Sequence, residues 1–147
     1  MDSYEINKST CAVISVTDTI SKIIEDNEDY IINRSSYEVM EDSCTYYGSS
    51  FDGRSKGSKN ILGSIYKVPV IIEETNDLIF FPTDSTKSKK CNWISLNQID
   101  KYEKVGKCTK IHFKNGKTCI IKMGINSFEL QILRANRLSA IINQRKR

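Results

Sequence analysis

The sequence predicts an α+β fold in a single domain of residues 1–147: an antiparallel β-sheet or partly closed β-barrel with a C-terminal amphipathic helix. The sheet is indicated by two alternating strands that flank Asn115-Gly116, a dipeptide favoured in type I′ hairpin turns. The helix is indicated by apolar residues at helical spacing in Asn126–Gln144. A chain of 147 residues can bury one substantial core, and we find no internal repeat or linker that divides it.

The first third of the chain predicts four short strands, because its apolar and β-branched residues occur in short runs. These strands are residues 4–6, 11–16, 20–25 and 30–33. The acidic sequence DNED separates the last two, which predicts a hairpin whose turn faces solvent.

A short helix is expected next, at Arg34–Cys44. Ser35 or Ser36 can cap it, since Glu38 follows at the distance that a capping box requires. Val39 and Met40 then face the core.

The middle of the chain predicts two more strands. Ile65–Glu73 contains Pro69, which cannot donate to a β-ladder, so this strand is expected at an edge or at a bulge. Leu78–Pro82 predicts a buried strand, and Thr83–Lys90 predicts a polar, basic and mobile loop. Trp93 is expected to anchor the last part of the sheet.

The long C-terminal helix carries two apolar stripes. Asn126 is the expected N-cap, with Glu129 three residues further on. The first stripe, which must dock on the sheet, consists of Phe128, Ile132, Ala135, Leu138 and Ile142. The second stripe consists of Leu130, Leu133 and Ile141. A loop of the same chain or another subunit must cover this second stripe, which makes these residues candidates for self-association.

The segment Ser43–Asn60, SCTYYGSSFDGRSKGSKN, combines glycine and serine with three cations. Glycine and serine favour irregular backbone, so we expect a loop whose N–H groups and cations can approach a phosphate. The alternative is an ordinary solvated connection. Tyr46 and Tyr47 are expected to pin the loop to the core.

Charge is divided unequally along the chain. Residues 1–50 hold ten acidic and three basic residues, a balance of −7, whereas residues 51–147 hold eight acidic and nineteen basic residues, a balance of +11. Such a basic majority is typical of a protein that binds a polyanion.

Metal and catalytic chemistry have little support in the sequence. The five cysteines form no CxxC pair and His112 is the only histidine, so we expect buried free thiols and no metal or cofactor. His112 has no evident partner carboxylate, and neither a GxGxxG nor a P-loop pattern occurs. These observations disfavour an enzyme.

Five blocks of the chain closely resemble the ComK family of bacterial competence transcription factors. The blocks are SCTYYGSSFDGR from Ser43, FFPT from Phe80, CNWIS from Cys91, FKNGKT from Phe113 and NSFE from Asn126. They occur in order over nearly the whole chain. The resemblance implies a DNA-binding activator of competence genes that recognises A/T-rich boxes.

No helix-turn-helix or zinc-finger pattern occurs, so a recognition helix in the major groove is not indicated. This fits the A/T-rich recognition that the resemblance implies, because the narrow minor groove of such DNA attracts Arg and Lys. The candidate DNA-binding residues are two serines and eight cations of the loops and the hairpin, namely Ser49, Ser50, Arg54, Lys56, Lys59, Lys87, Lys89, Lys90, Lys114 and Lys117. The resemblance also implies palindromic sites, a homodimer or higher homo-oligomer, and RNA polymerase as a further partner. Family members extend beyond the helix in a tail that recruits an adaptor and an ATP-dependent protease. This chain stops at QRKR, so either the tail was removed or the protein is a short relative. Binding to the adaptor and the protease therefore stays open.

Two other functions remain open at this point. From Asn92 onward the chain is similar to the end of a pleckstrin-homology-type roll, so its basic face could serve a membrane-surface or protein-interaction module. No apolar run has the length of a membrane span, and MDSYEINKS is unlike a secretory signal. A cytoplasmic location is therefore expected.

Overall fold

The computed structural model describes residues 1–86 and 88–146. In chain order the elements are β1 (Thr10–Thr17), β2 (Ile20–Glu25), β3 (Asp29–Ile32), α1 (Ser36–Tyr46), α2 (Phe51–Leu62), β4 (Val70–Glu73), β5 (Leu78–Pro82), β6 (Trp93–Ser95), β7 (Ile99–Val105), β8 (Cys108–Phe113), β9 (Thr118–Ile121) and α3 (Ile125–Arg145). The predicted α+β class is confirmed. The strands form two separate antiparallel sheets rather than a barrel, of six strands and of three.

The six-stranded sheet has the order β3-β2-β1-β6-β5-β4, so β3 and β4 are its edges. The edge position predicted from Pro69 is correct, but the predicted start of that strand at Ile65 is wrong. The strand begins only at Val70, after the proline, and Lys67 adopts a φ of 47° in the preceding bend. The left-handed Lys67 bends the chain, and Pro69 two residues later has no N–H to donate, so the ladder starts only after the proline.

One face of this sheet packs against the N-terminal segment and α1. Its core contains Val39 and Met40 of α1 together with Trp93 of β6. The predicted capping box is present, because Ser35 Oγ accepts from the Glu38 N–H at 3.1 Å and Glu38 Oε1 accepts from the Ser35 N–H at 3.0 Å. The α1 prediction is confirmed.

The expected strand at residues 4–6 is wrong. Tyr4 and Ile6 are buried in this core, but side chains rather than a neighbouring strand satisfy the backbone of Ile6. Its N–H donates to Ser43 Oγ at 3.0 Å, and its carbonyl accepts from the Tyr47 hydroxyl at 2.7 Å. Side-chain partners of this kind allow irregular chain to be buried.

The other face of the six-stranded sheet packs against the β7–β9 sheet and α3. Phe128 of α3 stacks edge-on against Phe81 of β5, with ring centroids 5.5 Å apart. Together with Ala135 and Leu138 it is fully buried, so the first apolar stripe docks as predicted. The predicted Asn126 cap is wrong, because the helix starts one residue earlier and Gly124 is the N-cap.

The Asn-Gly hairpin is confirmed, but its turn type is not. A type I′ turn needs positive φ at both central residues, whereas Gly116 has a φ of 91° and Asn115 stays in the ordinary negative range. The Phe113 N–H donates to the Lys117 carbonyl and the Gly116 N–H to the Phe113 carbonyl, both at 2.9 Å. The loop therefore has three residues, a type I turn followed by a left-handed glycine.

The cysteines are free thiols, as predicted. Cys11, Cys44 and Cys91 are buried, whereas Cys108 and Cys119 are half-buried. Burial raises the pKa of Cys44 to about 11 and that of Cys91 to about 12. Such thiols stay protonated at neutral pH, which makes them poor nucleophiles and poor metal ligands.

No three His, Cys, Asp or Glu side chains among the described residues form a group that could hold a metal ion. In the same part of the chain, no helix is both long and apolar enough to cross a bilayer.

Candidate nucleic-acid interface

The glycine- and serine-rich segment Ser43–Asn60 is mostly helical and not the expected loop, because it contains the end of α1 and most of α2. Helix α2 starts after Ser50, whose hydroxyl accepts from the Gly53 N–H at 3.0 Å, and ends at Gly63 with a left-handed φ of 65°. The residues that α2 buries are Phe51, Ser55 and Ser58, at the four- and three-residue spacing of one helix face. Small serines let this helix approach β4 closely, so it covers an edge of the sheet.

Phe51 fixes the start of α2 to the core. It is 5% exposed, and its ring lies edge-on to Trp93 and Tyr37 at centroid distances of 5.6 Å and 5.2 Å. Tyr47 contacts the core as expected, through its bond to Ile6, whereas Tyr46 remains 65% exposed. The segment is therefore a packed part of the fold and not a free arm.

Arg54 faces inward from α2 and forms an ion pair. Its Nη1 lies 3.2 Å from Glu74 Oε1, and the other oxygen of Glu74 lies 3.6 Å from Lys146 Nζ. Its Nε is buried without a hydrogen-bond partner among the described residues. Arg54 thus ties α2 to the β4–β5 turn. Its proposed contact with DNA remains a prediction.

Lys56 and Lys59 lie exposed on the outer face of α2. Within the described residues neither forms an ion pair. Gly53 and Gly57 lie on the same outer face, so few side chains stand between these cations and an approaching ligand. Ser50 is exposed at the N-terminus of this helix and Ser49 is half-buried beside it.

The remaining predicted cations lie elsewhere, and two of them are paired. Lys117 Nζ is 3.1 Å from Asp29 at the β3 edge, and Lys89 Nζ is 3.9 Å from Asp18. Lys90 and Lys114 are exposed, and Lys87 lies outside the described residues. Edges β3 and β4 are five strand spacings apart, about 24 Å, so the structure does not bring the hairpin cations and the α2 cations together.

Sequence reasoning overlooked a second group of cations beside α2. Helix α3 packs against α2, and Arg134 of α3 holds the segment that joins α2 to β4. Arg137 is exposed on the same helix, and Lys67 is exposed in the joining segment. Burial lowers the pKa of Arg134, although a guanidinium remains charged at neutral pH.

The two segments that meet here hold few carboxylates, with Asp52 at the start of α2 and Glu129 early in α3. Residues 53–72 hold four basic residues and no acidic one, and residues 130–147 hold five basic residues and no acidic one. We call the surface formed by α2, the joining segment 63–69 and α3 the α2–α3 surface. The absence of acidic residues from these two ranges is visible in the sequence, but only the fold shows that the two segments are neighbours.

The expectation that His112 lacks a carboxylate partner is wrong. His112 Nε2 lies 3.0 Å from Glu103 Oε1, between neighbouring strands β8 and β7. The hydrogen bond from His112 lowers the pKa of Glu103, whose side chain is 57% exposed. Side chains on paired strands contact each other across the ladder, so a histidine on β8 has neighbours on β7. The spacing of Glu103 and His112 in the sequence did not show this pairing.

Comparison with known proteins gives two similarities. The family model described as ComK protein matches residues 1–147. The chain is also 33% identical, over 138 residues, to the competence transcription factor of Bacillus subtilis (strain 168). The aligned residues make up 91% of this chain and 72% of that protein. No solved structure matches the chain.

Proposed function

The chain belongs to the ComK family, and we propose that it is an activator of competence genes that binds A/T-rich double-stranded DNA through the minor groove. The observation that carries this proposal is the α2–α3 surface, because α2 and α3 pack together there and residues 53–72 and 130–147 are basic without an acidic residue. Phosphates on both sides of a groove attract such a surface. Glu74, which lies beside it, is already paired with Arg54 and Lys146. The narrow minor groove of A/T tracts adds negative potential that favours inserted cations.

Within this proposal the candidate residues have different roles. Lys56 and Lys59 are the best placed for the duplex, because they are exposed and lie on α2. Arg54 acts mainly by positioning α2, since its guanidinium contacts Glu74. Lys89, Lys90 and Lys114 would supply more distant phosphate contacts. RNA polymerase is the proposed further partner of the DNA-bound protein, in the cytoplasm.

The proposal predicts A/T-biased binding that depends steeply on salt. Fluorescence anisotropy with labelled A/T-rich and G/C-rich duplexes of equal length should show tighter binding to the first. The log–log slope against salt should be about −0.9 for each phosphate neutralised, because bound counterions are released. Distamycin, which occupies the minor groove, should compete.

Anionic liposomes provide the matched control, because they present negative charge without a groove. Equal affinity for both duplexes, or salt-independent binding, contradicts the proposal. Binding to liposomes in preference to DNA would instead favour a membrane-surface module.

We further propose that the second apolar stripe of α3 supports self-association. Leu130 and Leu133 are 56% and 66% exposed, and Ile141 is half-buried beside them. Palindromic sites are most simply bound by a two-fold dimer. Exposed leucines that face a second copy would lose their contact with water.

Leu133→Glu is therefore expected to weaken assembly while the fold is preserved, because the side chain is mostly exposed. Sedimentation velocity measures the oligomer, and thermal melting followed by circular dichroism measures the fold. Ile120→Glu is the control, since Ile120 is 59% exposed but lies on β9. An identical oligomer for Leu133→Glu and the parent would show that the stripe does not pair two copies.

A further inference from the structure

The segment that joins α2 to β4 exposes two large apolar side chains. Tyr66 and Ile65 are 75% and 67% exposed, the highest values among the large apolar residues of the described chain. Single exposed apolar residues are common and need no explanation. Two adjacent ones on a basic surface do not contribute to the core, and they indicate a binding site.

The backbone beneath this pair is held firmly. Arg134 donates from Nη2 to the Tyr66 carbonyl at 2.7 Å and to Ser64 Oγ at 3.2 Å, and from Nη1 to the Lys67 carbonyl at 3.2 Å. Gln131, which is only 3% exposed, donates from Nε2 to the Lys67 carbonyl at 2.8 Å and to the Pro82 carbonyl at 2.9 Å.

These bonds hold Lys67 at a φ of 47°, a strained conformation for a residue with a side chain. Such strain persists only where surrounding contacts fix it. The side chains of Ile65 and Tyr66 are therefore exposed on a preorganised backbone, which lowers the entropic cost of binding a rigid partner.

The charge around the pair indicates what that partner is. Lys59 precedes it on α2, Lys67 follows it directly, and Arg134 of α3 lies against its backbone. No acidic residue occurs in residues 53–72 or 130–147. Apolar side chains bordered by cations match duplex DNA, in which phosphates border stacked, apolar base faces.

We propose that Ile65 and Tyr66 form a wedge that enters the minor groove and opens a base step in the bound duplex. Ile65 inserts between two base pairs, and the Tyr66 ring stacks on the base face that this opening exposes. A/T-rich DNA contains TA steps, which unstack and kink more easily than others, so the wedge itself contributes to sequence preference. This inference rests on the proposed function, because it requires a bound duplex.

The test uses 2-aminopurine, an adenine analogue whose fluorescence rises when it is unstacked. An A/T-rich duplex with the analogue at a TA step is titrated with the parent protein at low salt. Fluorescence is expected to rise on binding, and anisotropy of an end label on the same duplex reports binding independently.

Ile65→Ala and Tyr66→Ala should bind with about tenfold lower affinity, the scale of one lost stacking contact. At saturating protein, Ile65→Ala should no longer raise the 2-aminopurine signal. Tyr46→Ala and Ile31→Ala are the matched controls, because these side chains are 65% and 53% exposed but belong to the acidic first fifty residues. Both controls should behave as the parent does.

The outcomes separate the two proposals. A/T-biased binding by the parent without any fluorescence rise at any TA step overturns the wedge and leaves the proposed function standing. A rise that persists in Ile65→Ala and Tyr66→Ala also overturns it, and then this pair serves another partner. If the parent binds no duplex, both proposals fail. Circular dichroism melting of each variant confirms that the fold is retained.

Discussion

Removing Lys56 and Lys59 together is expected to lower the affinity for A/T-rich duplex about 60-fold in 0.1 M salt, since each phosphate contact contributes about 0.9 log units at that concentration. The salt slope should become flatter by about two units for the same reason. Both side chains are exposed on the outer face of α2, and alanine favours a helix, so the Lys56→Ala/Lys59→Ala protein should fold normally.

Lys101→Ala/Lys104→Ala is the control for net charge. These lysines are also exposed, but they lie on β7, so the same two charges are removed at another place. Affinity should fall by less than about threefold, because salt screens charges beyond about 10 Å. Equal losses for the two double variants would indicate a diffuse field rather than contacts from α2. A larger loss of affinity for Lys114→Ala/Lys117→Ala would indicate that the duplex binds at the hairpin edge instead.

The sequence predicted those parts of the fold that strong local signals determine. Asn115-Gly116 between alternating strands predicted the β8–β9 hairpin, and Ser35 with Glu38 predicted the start of α1. In both cases one or two side chains bond to the backbone beside them. Local bonds of this kind do not depend on the remainder of the chain.

Helix α2 was missed because its local signals oppose its structure. Glycine and serine have weak helix propensity, and tertiary packing overrides it here. The inward face carries Phe51 followed by Ser55 and Ser58, so its periodicity is hidden by small polar residues. The signals that were present were the serine N-cap at position 50 and the glycine after the helix at position 63.

The site could be predicted only in part, because the sequence shows charge but not its partners. The basic balance after residue 50 correctly indicated a cationic protein. Lys117, however, is paired with Asp29, which is 88 residues away, and Arg54 with Glu74. No sequence signal distinguishes Arg134 and Gln131 within α3, and only the fold places them against the Lys67 carbonyl. Long-range pairs of this kind have no signature in residue spacing.

Phe51→Ala is expected to destabilise the protein by about 3–5 kcal/mol, the usual cost of removing a buried aromatic ring. This is a large fraction of the roughly 5–15 kcal/mol by which domains are stable. The ring is 5% exposed and lies against both Trp93 and Tyr37, so its loss leaves a cavity at the point where α2 meets the core. Urea unfolding followed by tryptophan fluorescence measures the change, because Trp93 lines that cavity.

Two control variants test whether the loss of stability comes from the packing of Phe51. Phe51→Leu keeps most of the volume and should cost less than about 1.5 kcal/mol. Tyr46→Ala removes an aromatic ring that is 65% exposed, so its effect should stay within about 0.5 kcal/mol.

A mobile DNA-binding arm makes the opposite prediction for the same Phe51→Ala protein. Its urea midpoint would equal that of the parent, and only DNA binding would weaken. The structure instead requires a lower midpoint with or without DNA, because Phe51 holds Lys56 and Lys59 in place through the helix that it anchors. Phe51→Leu should then retain most of the affinity for A/T-rich duplex, since α2 remains docked while the anchoring ring is replaced.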